Sequence, residues 1–459
     1  MVMMTKSCPV HGYFRDLYWS DFDQWQRVRK YSVTGDGLEN PRTKSSKGCP
    51  YDCGICENHK SQTILSIIDV TNRCNLKCPI CFANAAAAGY EYEPTLDQIK
   101  GIIDNLAANR PVKVKALQLS GGEPTLRNDL SEIVRYAHGA GIHHVEVNTN
   151  GIRIAQSMEY LKRLQAADVS SFYLQFDGLT SEPYKITRGL DLLPTKMKAL
   201  DNLRSVQHDS VILVVTLVRG INDNQLGRII RFAAENHDVI RCVNVQPVSV
   251  TGRIDRDKLA EYRITIPDFM RLVEEQTDGQ IKVSDFYPVP SVVPFAQAMG
   301  ALRGTRYPEF TMHEHCGMAT FVFVEDDRVT PITRYADVDA FMSNMKEVAR
   351  LANSGHEVLA RFKMIQSLRH IKLKVLKPLI SGVIREGSYD ALGQLMRRIV
   401  MVGAMHFMDP YNFDLERVQR CGIHYGIPDG RIIPFCTMNS IHRMEIEKLF
   451  AKPSQPIAS

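Results

Sequence analysis

Three cysteines fall within eight positions in "TNRCNLKCPICFANA", residues 71–85. The C-x3-C-x2-C spacing of Cys74, Cys78 and Cys81 lets one loop present three thiolates to three irons of a cubane, leaving the fourth iron open. Iron–sulfur clusters ordinarily take four cysteines, so a three-cysteine loop points to a substrate or cosubstrate in the fourth position. Structural zinc is the competing reading, but it calls for a fourth Cys or His nearby and more often uses C-x2-C pairs.

A second C-x3-C-x2-C, at Cys49, Cys53 and Cys56 in "GCPYDCGICENH", has no strand-like run before it. Cys8 in "SCPVHG" is a candidate fourth sulfur for this trio, with His11 and His59 as supporting or substitute ligands. Four sulfurs suit a cubane, a rubredoxin-like iron or a zinc ion. Cys316 lies in "HEHCGMAT", and Cys421 and Cys436 bracket "GIHYGIPDGRIIPF", whose Pro-Asp-Gly turn returns the chain and brings the two sulfurs together. These three suggest a further auxiliary cluster. Its fourth ligand stays open, and Cys242 is either that ligand or an ordinary buried thiol.

The elements that must position these residues follow from hydrophobic patterning. Between residues 63 and about 250, six β-rich runs ("TILSIIDVT", "ALQLSGG", "HVEVNTNG", "SSFYLQFDG", "VILVVTLV" and "VNVQPVSV") alternate with helical stretches such as "TLDQIKGIIDNLAANR". The expected fold is α/β with parallel strands, either an open doubly wound sheet or, preferred, a partial (β/α)6 barrel. The first cysteine loop, "SGGEP", "NTNG" and "QFDG" all end successive strands, so the suspicious motifs converge at one face. Residues 1–62 read as a cysteine-rich module held by metal rather than by a core. Residues 63–290 form the barrel, and 291–459 a mixed, mainly helical domain with a hairpin in "ATFVFVEDDRVTPI" and about 65 helical residues from Val338.

With 459 residues, 44% of them hydrophobic, the chain is long enough for a full core and more than one domain. Its net charge of +5 gives no dense basic stripe of the kind nucleic acid requires. No apolar run is long enough to cross a bilayer, and a cytosolic setting is expected, where thiols stay reduced and serve as metal ligands rather than disulfides.

The first cysteine loop after the first strand of a β/α series resembles the radical S-adenosylmethionine (SAM) superfamily, apart from Ile80, where an aromatic residue is frequent. The resemblance implies a [4Fe-4S] cluster on Cys74, Cys78 and Cys81, SAM on the open iron, and formation of a 5′-deoxyadenosyl radical. It implies that Gly121, Gly122, Glu123 and Pro124 face the methionine amino group and that Asn148 and Asn150 contact the cosubstrate. Gln175 or Asp177 takes the ribose position, and Arg188 grips the carboxylate. Strand-end Asp and Asn are equally often turn formers or caps.

The paired motifs, "CPVHG", "VNVQPVSVTGR" and the tail "MHFMDPYNFDLERVQRCGIHYGIPDGRIIPFCTMN" resemble the subfamily of archaeal tetraether lipid synthase and class D dihydropterin methyltransferases. That implies hydrogen abstraction from an unactivated carbon, with a reductant such as ferredoxin or flavodoxin as partner. The preferred expectation is carbon–carbon bond formation between lipid chain ends; the alternative is C-methylation of a dihydropterin or other small molecule. A non-enzymatic iron–sulfur electron carrier has no use for an open iron or a barrel. The segment "RFKMIQSLRHIKLKVLK", with six Lys or Arg and no acid, favours a lipid substrate and peripheral membrane contact if its helix lies on an anionic surface, and otherwise reads as a solvated basic face. Pro378 is expected to end that helix. Met and aromatic residues in "RRIVMVGAMHFMD", read as helical, line an acyl tunnel or fill a core.

Overall fold

The computed structural model describes residues 1–325, 328–372 and 399–451. The chain opens with an antiparallel hairpin, β1 (Val2–Cys8) and β2 (Gly12–Trp19), followed by the helix Phe22–Arg29. Six parallel strands then stand side by side in chain order: β3 (Leu65–Thr71), β4 (Ala116–Gly121), β5 (His144–Thr149), β6 (Ser171–Gln175), β7 (Val211–Leu217) and β8 (Ile240–Pro247). These are the six runs read from the sequence. Parallel strands are covered on both faces, so they appear as nearly continuous apolar stretches, which made them legible.

The intervening helices close the outer face. Leu96–Ala107 starts with a capping box, Thr95 Oγ1 accepting from Gln98 N while Gln98 Oε1 accepts from Thr95 N. It buries Ile99, Ile102, Ile103 and Leu106 against the sheet, each contributing about 2 kcal/mol by leaving water.

The region after residue 290 does not stand apart from this sheet. The sheet continues from Tyr287–Pro288 (β9) through β10 (Gly317–Glu325), β11 (Arg328–Pro331), β12 (Ile399–Met405), β13 (Ile423–Gly426) and β14 (Ile432–Pro434). The β10–β11 pair is the expected antiparallel hairpin. Strand β12 adds parallel to β8, with Met401 opposite Cys242, and β10 follows on its far side. At the opposite edge β13 adds parallel to β3, with Ile423 opposite Leu65. Both open edges of the six-stranded core are therefore capped by later chain.

Three expectations change. The N-terminal segment is not held by metal alone: Tyr18, Trp19 and Val28 are buried and join the barrel's main apolar cluster. Its alternation was obscured because Tyr13 and Phe14 face water. The stretch around Met401, read as helical, is strand β12, where Val400, Val402 and the close-packed Gly403 suit a sheet interior. In the basic segment the helix does not run on to Pro378: it spans Glu357–Ser367, burying Ala360 and Ser367 and leaving Val358, Phe362 and Ile365 exposed, and gives way to a 3-10 turn at Leu368–His370 and a bridge from Ile371 to Ala336. Residues 373–377 and Pro378 lie outside the described residues. Among the described residues no helix is long and apolar enough to cross a membrane.

Candidate active site

A cavity of about 600 Å³ runs down the barrel from the cysteine loop, and Cys74, Cys78 and Cys81 line its mouth. The loop is held from several sides. Cys81 and Arg253 exchange backbone hydrogen bonds at 2.9 Å, and Arg253 Nε donates to Cys78 O. Gly252 makes this approach possible: its φ is +63°, and a Cβ there would stand 2.3 Å from Phe82 O. Asn150 Nδ2 donates to Asn75 Oδ1 at 2.7 Å, and Ile80 N donates to Thr187 O. Burial pushes the Cys74 thiol up to about 12 and raises Cys78. An all-sulfur donor set this poorly solvated suits cationic iron, whose charge offsets the desolvation of the thiolates.

The Gly-Gly-Glu stretch is shaped by the same loop. Gly122 N donates to Thr71 O and Glu123 N to Arg73 O. A Cβ on Gly121 would lie 2.1 Å from Thr71 O, and one on Gly122 2.1 Å from Arg73 O. Gly121, Gly122 and Glu123 line the cavity, whereas Pro124 is buried at the start of a 3-10 turn and does not. Burial raises the Glu123 pKa against its hydrogen bonds. Its oxygens accept from Thr125 Oγ1, Thr149 Oγ1 and Asn150 N, so it ties β4 to the end of β5.

Asn148, Asn150 and Gln175 line the cavity; Asp177 does not. Asp177 lies wholly buried beneath it, accepting from Gln175 Nε2, Thr187 Oγ1, Thr216 N and Arg188. Burial opposes its ionisation, but the Arg188 charge and hydrogen bonds outweigh that and hold the carboxyl below its usual range. Arg188 in turn spends four of its five N–H groups on Asp177, Ile80 O and Thr216 Oγ1. It lines the cavity but has no free fork for a bidentate grip on a cosubstrate carboxylate; of Gln175 and Asp177 only Gln175 faces that cavity, its amide bonded to Asp177 and Lys196.

Patterning did not single out Lys196. From helix Leu193–Ser205 it enters this network fully buried, with Nζ donating to Asn150 O and Gln175 Oε1. Burial, against the pull of Asp177, lowers its pKa to about 7. Nothing in its spacing relates it to the strand-end motifs.

Deeper in the barrel the inward residues are polar. Gln118 Nε2 donates to Glu146 Oε1 at 2.6 Å, and Tyr173 OH accepts from Asn244 Nδ2 and Gln246 Nε2. Cys242 lines this region, and Glu146 and Tyr173 are its electrostatic neighbours; burial drives its thiol pKa upward. The opposite wall, Ile67, Phe82, Met401, Met405, Phe407, Met408 and Phe435, is apolar.

The remaining cysteines gather on the tail. The β13–β14 hairpin brings Cys421 and Cys436 to one end, as the turn implied, and Cys316 joins them beside Arg417, whose Nε donates to Cys316 Sγ at 3.3 Å. Cys242 stays in the barrel. Cys49 and Cys53 pack into the same tail cluster as Met408, Phe435 and Cys436. Cys56 and Cys49 are the sulfur neighbours of Cys53. Cys8 is held elsewhere: at the β1–β2 turn its Sγ lies 3.3 Å from His11 Nδ1. His59 bonds Cys421 O and the His424 ring, which turns it away from the role expected beside Cys8.

A parallel barrel whose first strand runs into a loop of three half-buried cysteines lining a cavity defines a radical SAM enzyme, and the Radical SAM superfamily model matches residues 68–233. The chain belongs to this superfamily; it works with a [4Fe-4S] cluster and SAM. Along 98% of its length it is 48% identical to 7,8-dihydro-6-hydroxymethylpterin dimethyltransferase of Methanocaldococcus jannaschii, covering 91% of that protein. GTP 3′,8-cyclase of Listeria monocytogenes is 29% identical over 42% of this chain and 56% of its own. The crystal structure of Streptococcus suis SuiB is 21% identical, with a TM-score of 0.38 over 48% of this chain and 47% of that one.

Proposed function

We propose that the chain methylates a dihydropterin or a closely related heterocycle at an unactivated carbon. The preference for lipid chain ends gives way to this reading because the full-length relative is described as a pterin dimethyltransferase. The observation that carries the proposal is Glu146, a buried carboxylate on the cavity wall next to Gln118. A pterin edge offers adjacent ring and amino N–H donors, which a carboxylate accepts as a pair. Tyr173 supplies an aromatic surface on the neighbouring strand.

When bound, the cluster and SAM would supply the 5′-deoxyadenosyl radical, which would take the hydrogen atom from the substrate carbon and leave as 5′-deoxyadenosine; the one-carbon unit added there would come from a separate one-carbon donor, with electrons from the external reductant. The chain's own contribution is placement: Cys74, Cys78 and Cys81 fix the iron end, Gln175 and Asn148 orient the cosubstrate, and Glu146 holds the heterocycle below it. We assign Cys316, Cys421 and Cys436 to an auxiliary metal centre.

The apolar wall of Met401, Met405, Phe407, Met408 and Phe435 favours a second reading, coupling of lipid chain ends. Anaerobically reconstituted, reduced enzyme is given SAM and either ring- and side-chain-deuterated dihydropterin or a chain-deuterated membrane lipid. Deuterium in 5′-deoxyadenosine from the pterin is the expected result. Transfer from the lipid alone overturns the pterin assignment and selects the second reading.

A further inference from the structure

Between helix Val293–Arg303 and β10, the chain makes a tight turn in which Cys316 N donates to His313 O. His313, Glu314 and His315 occupy this turn, each more than nine-tenths buried. One ligand atom from each lies within 4.8 Å of the other two. The set faces a cavity of about 390 Å³ lined also by Tyr18, Asp414 and Glu416, away from the barrel interior.

Two of these side chains carry a buried acceptor atom without a hydrogen bond. His315 places Nε2 on the Trp25 carbonyl at 3.2 Å, which fixes the proton there and leaves Nδ1 as an acceptor; that Nδ1 is buried without a hydrogen-bond partner. A backbone carbonyl on the far nitrogen is the arrangement that orients metal-binding imidazoles. The ring is held rigidly, stacked on Trp25 at 5.5 Å and edge-on to Trp19 at 5.1 Å. Glu314 Oε2 is likewise without a hydrogen bond: Arg420 Nη2 comes to 3.0 Å, but at an angle that makes an ion pair only. Arg420 also has Glu416 within 3.5 Å, so it keeps a counter-charge if Glu314 turns to another cation. His313 Nδ1 accepts from the His315 N–H at 3.2 Å, a contact an ion can replace, and has Glu314 Oε2 at 3.8 Å.

We propose that His313, Glu314 and His315 bind one divalent transition ion of the zinc or ferrous class, separate from the cysteine-held iron. Two imidazoles and a carboxylate are borderline donors that suit zinc or iron(II), whereas magnesium and calcium call for all-oxygen sites. Three protein ligands leave a coordination position open toward the cavity. The sulfur of Cys316 is engaged by Arg417 on the Cys421–Cys436 side, so the adjacent residue belongs to a chemically different set.

Cobalt(II) serves as the probe, added to reconstituted full-length protein. The expected result is one cobalt per chain with visible d–d bands and no sulfur-to-cobalt charge transfer. His315→Phe, which keeps the ring stack but removes Nδ1, should bind cobalt on the order of tenfold more weakly or less. Glu314→Gln should weaken it too. Thermal melting checks that each variant is folded. A spectrum dominated by sulfur charge transfer, equal binding by folded His315→Phe, or no cobalt on folded wild type overturns the proposal.

Discussion

Arg188 and Asp177 form a two-pronged ion pair, with Nε to Oδ2 at 2.6 Å and Nη2 to Oδ1 at 3.0 Å, in which Asp177 is wholly buried and Arg188 lines the cavity. The pair joins strand β6's end to the helix Ser181–Arg188 directly beneath the cysteine loop, and Arg188 reaches that loop through Ile80 O.

Removing one partner leaves an uncompensated buried charge. Asp177→Asn should therefore lower unfolding free energy by about 3–5 kcal/mol and weaken SAM binding. The double change Asp177→Asn with Arg188→Met should recover part of the loss. Denaturant titration of both variants checks this; equal stability in wild type and the single variant contradicts it.

The backbone contacts at the Gly-Gly-Glu turn make a second prediction. Gly122→Ala puts a methyl group against Arg73 O and should displace the loop carrying Cys74. Reconstituted iron at this site and deoxyadenosine formation should both fall at least tenfold. Gly139→Ala, at a helix end with open space around it, serves as the matched control and should change neither.

Lys196 predicts a pH dependence. Its folded pKa is about 7, against roughly 10.4 in the unfolded chain. Between these values the unfolded state binds the extra proton, so stability rises with pH from 7 towards 10 and is lost on the way down, by up to about 1.4 kcal/mol per unit from this group. Urea unfolding of the metal-free chain at pH 7.5 and 9.5 should show that rise in wild type and not in Lys196→Met. Parallel pH dependences for the two proteins rule it out.

The cysteine arrangement makes a fourth prediction. Cys421→Ala should reduce bound iron after reconstitution, because its sulfur belongs to the Cys316–Cys436 group. Cys242→Ala should leave the iron count intact, as that thiol faces Glu146 in the barrel. Iron analysis with Mössbauer spectroscopy distinguishes them; loss of a cluster in Cys242→Ala returns this residue to the metal ligands.

The barrel strands and first cysteine loop were readable because both depend on local pattern: apolar runs for β3 to β8, and a spacing of three sulfurs on one loop. Lys196 and Glu146 were not. Each reaches the cavity through tertiary placement, and neither helix nor strand periodicity marks a polar residue on an inward face as different from one on a solvated face. Asp177 and Arg188 were noticed as single residues, but their pairing exists only once β6 and its following helix are packed. The Met401 strand was misjudged because Met and Ala favour helices in isolation, and burial on a sheet overrode that propensity.

The pairing of β13 with β3 has a consequence for how the chain is made. Leu65 and Ile423 are neighbours in the sheet but roughly 360 residues apart in sequence, a contact of very high order whose loop-closure entropy slows its formation. As the polypeptide leaves the ribosome, the strand that presents Cys74 has one bare hydrogen-bonding edge until the tail arrives, which is the condition under which strands pair with the wrong partner. The order of the strands should therefore make the nascent chain dependent on chaperones until the tail is made, and overproduction should favour aggregates nucleated at that edge.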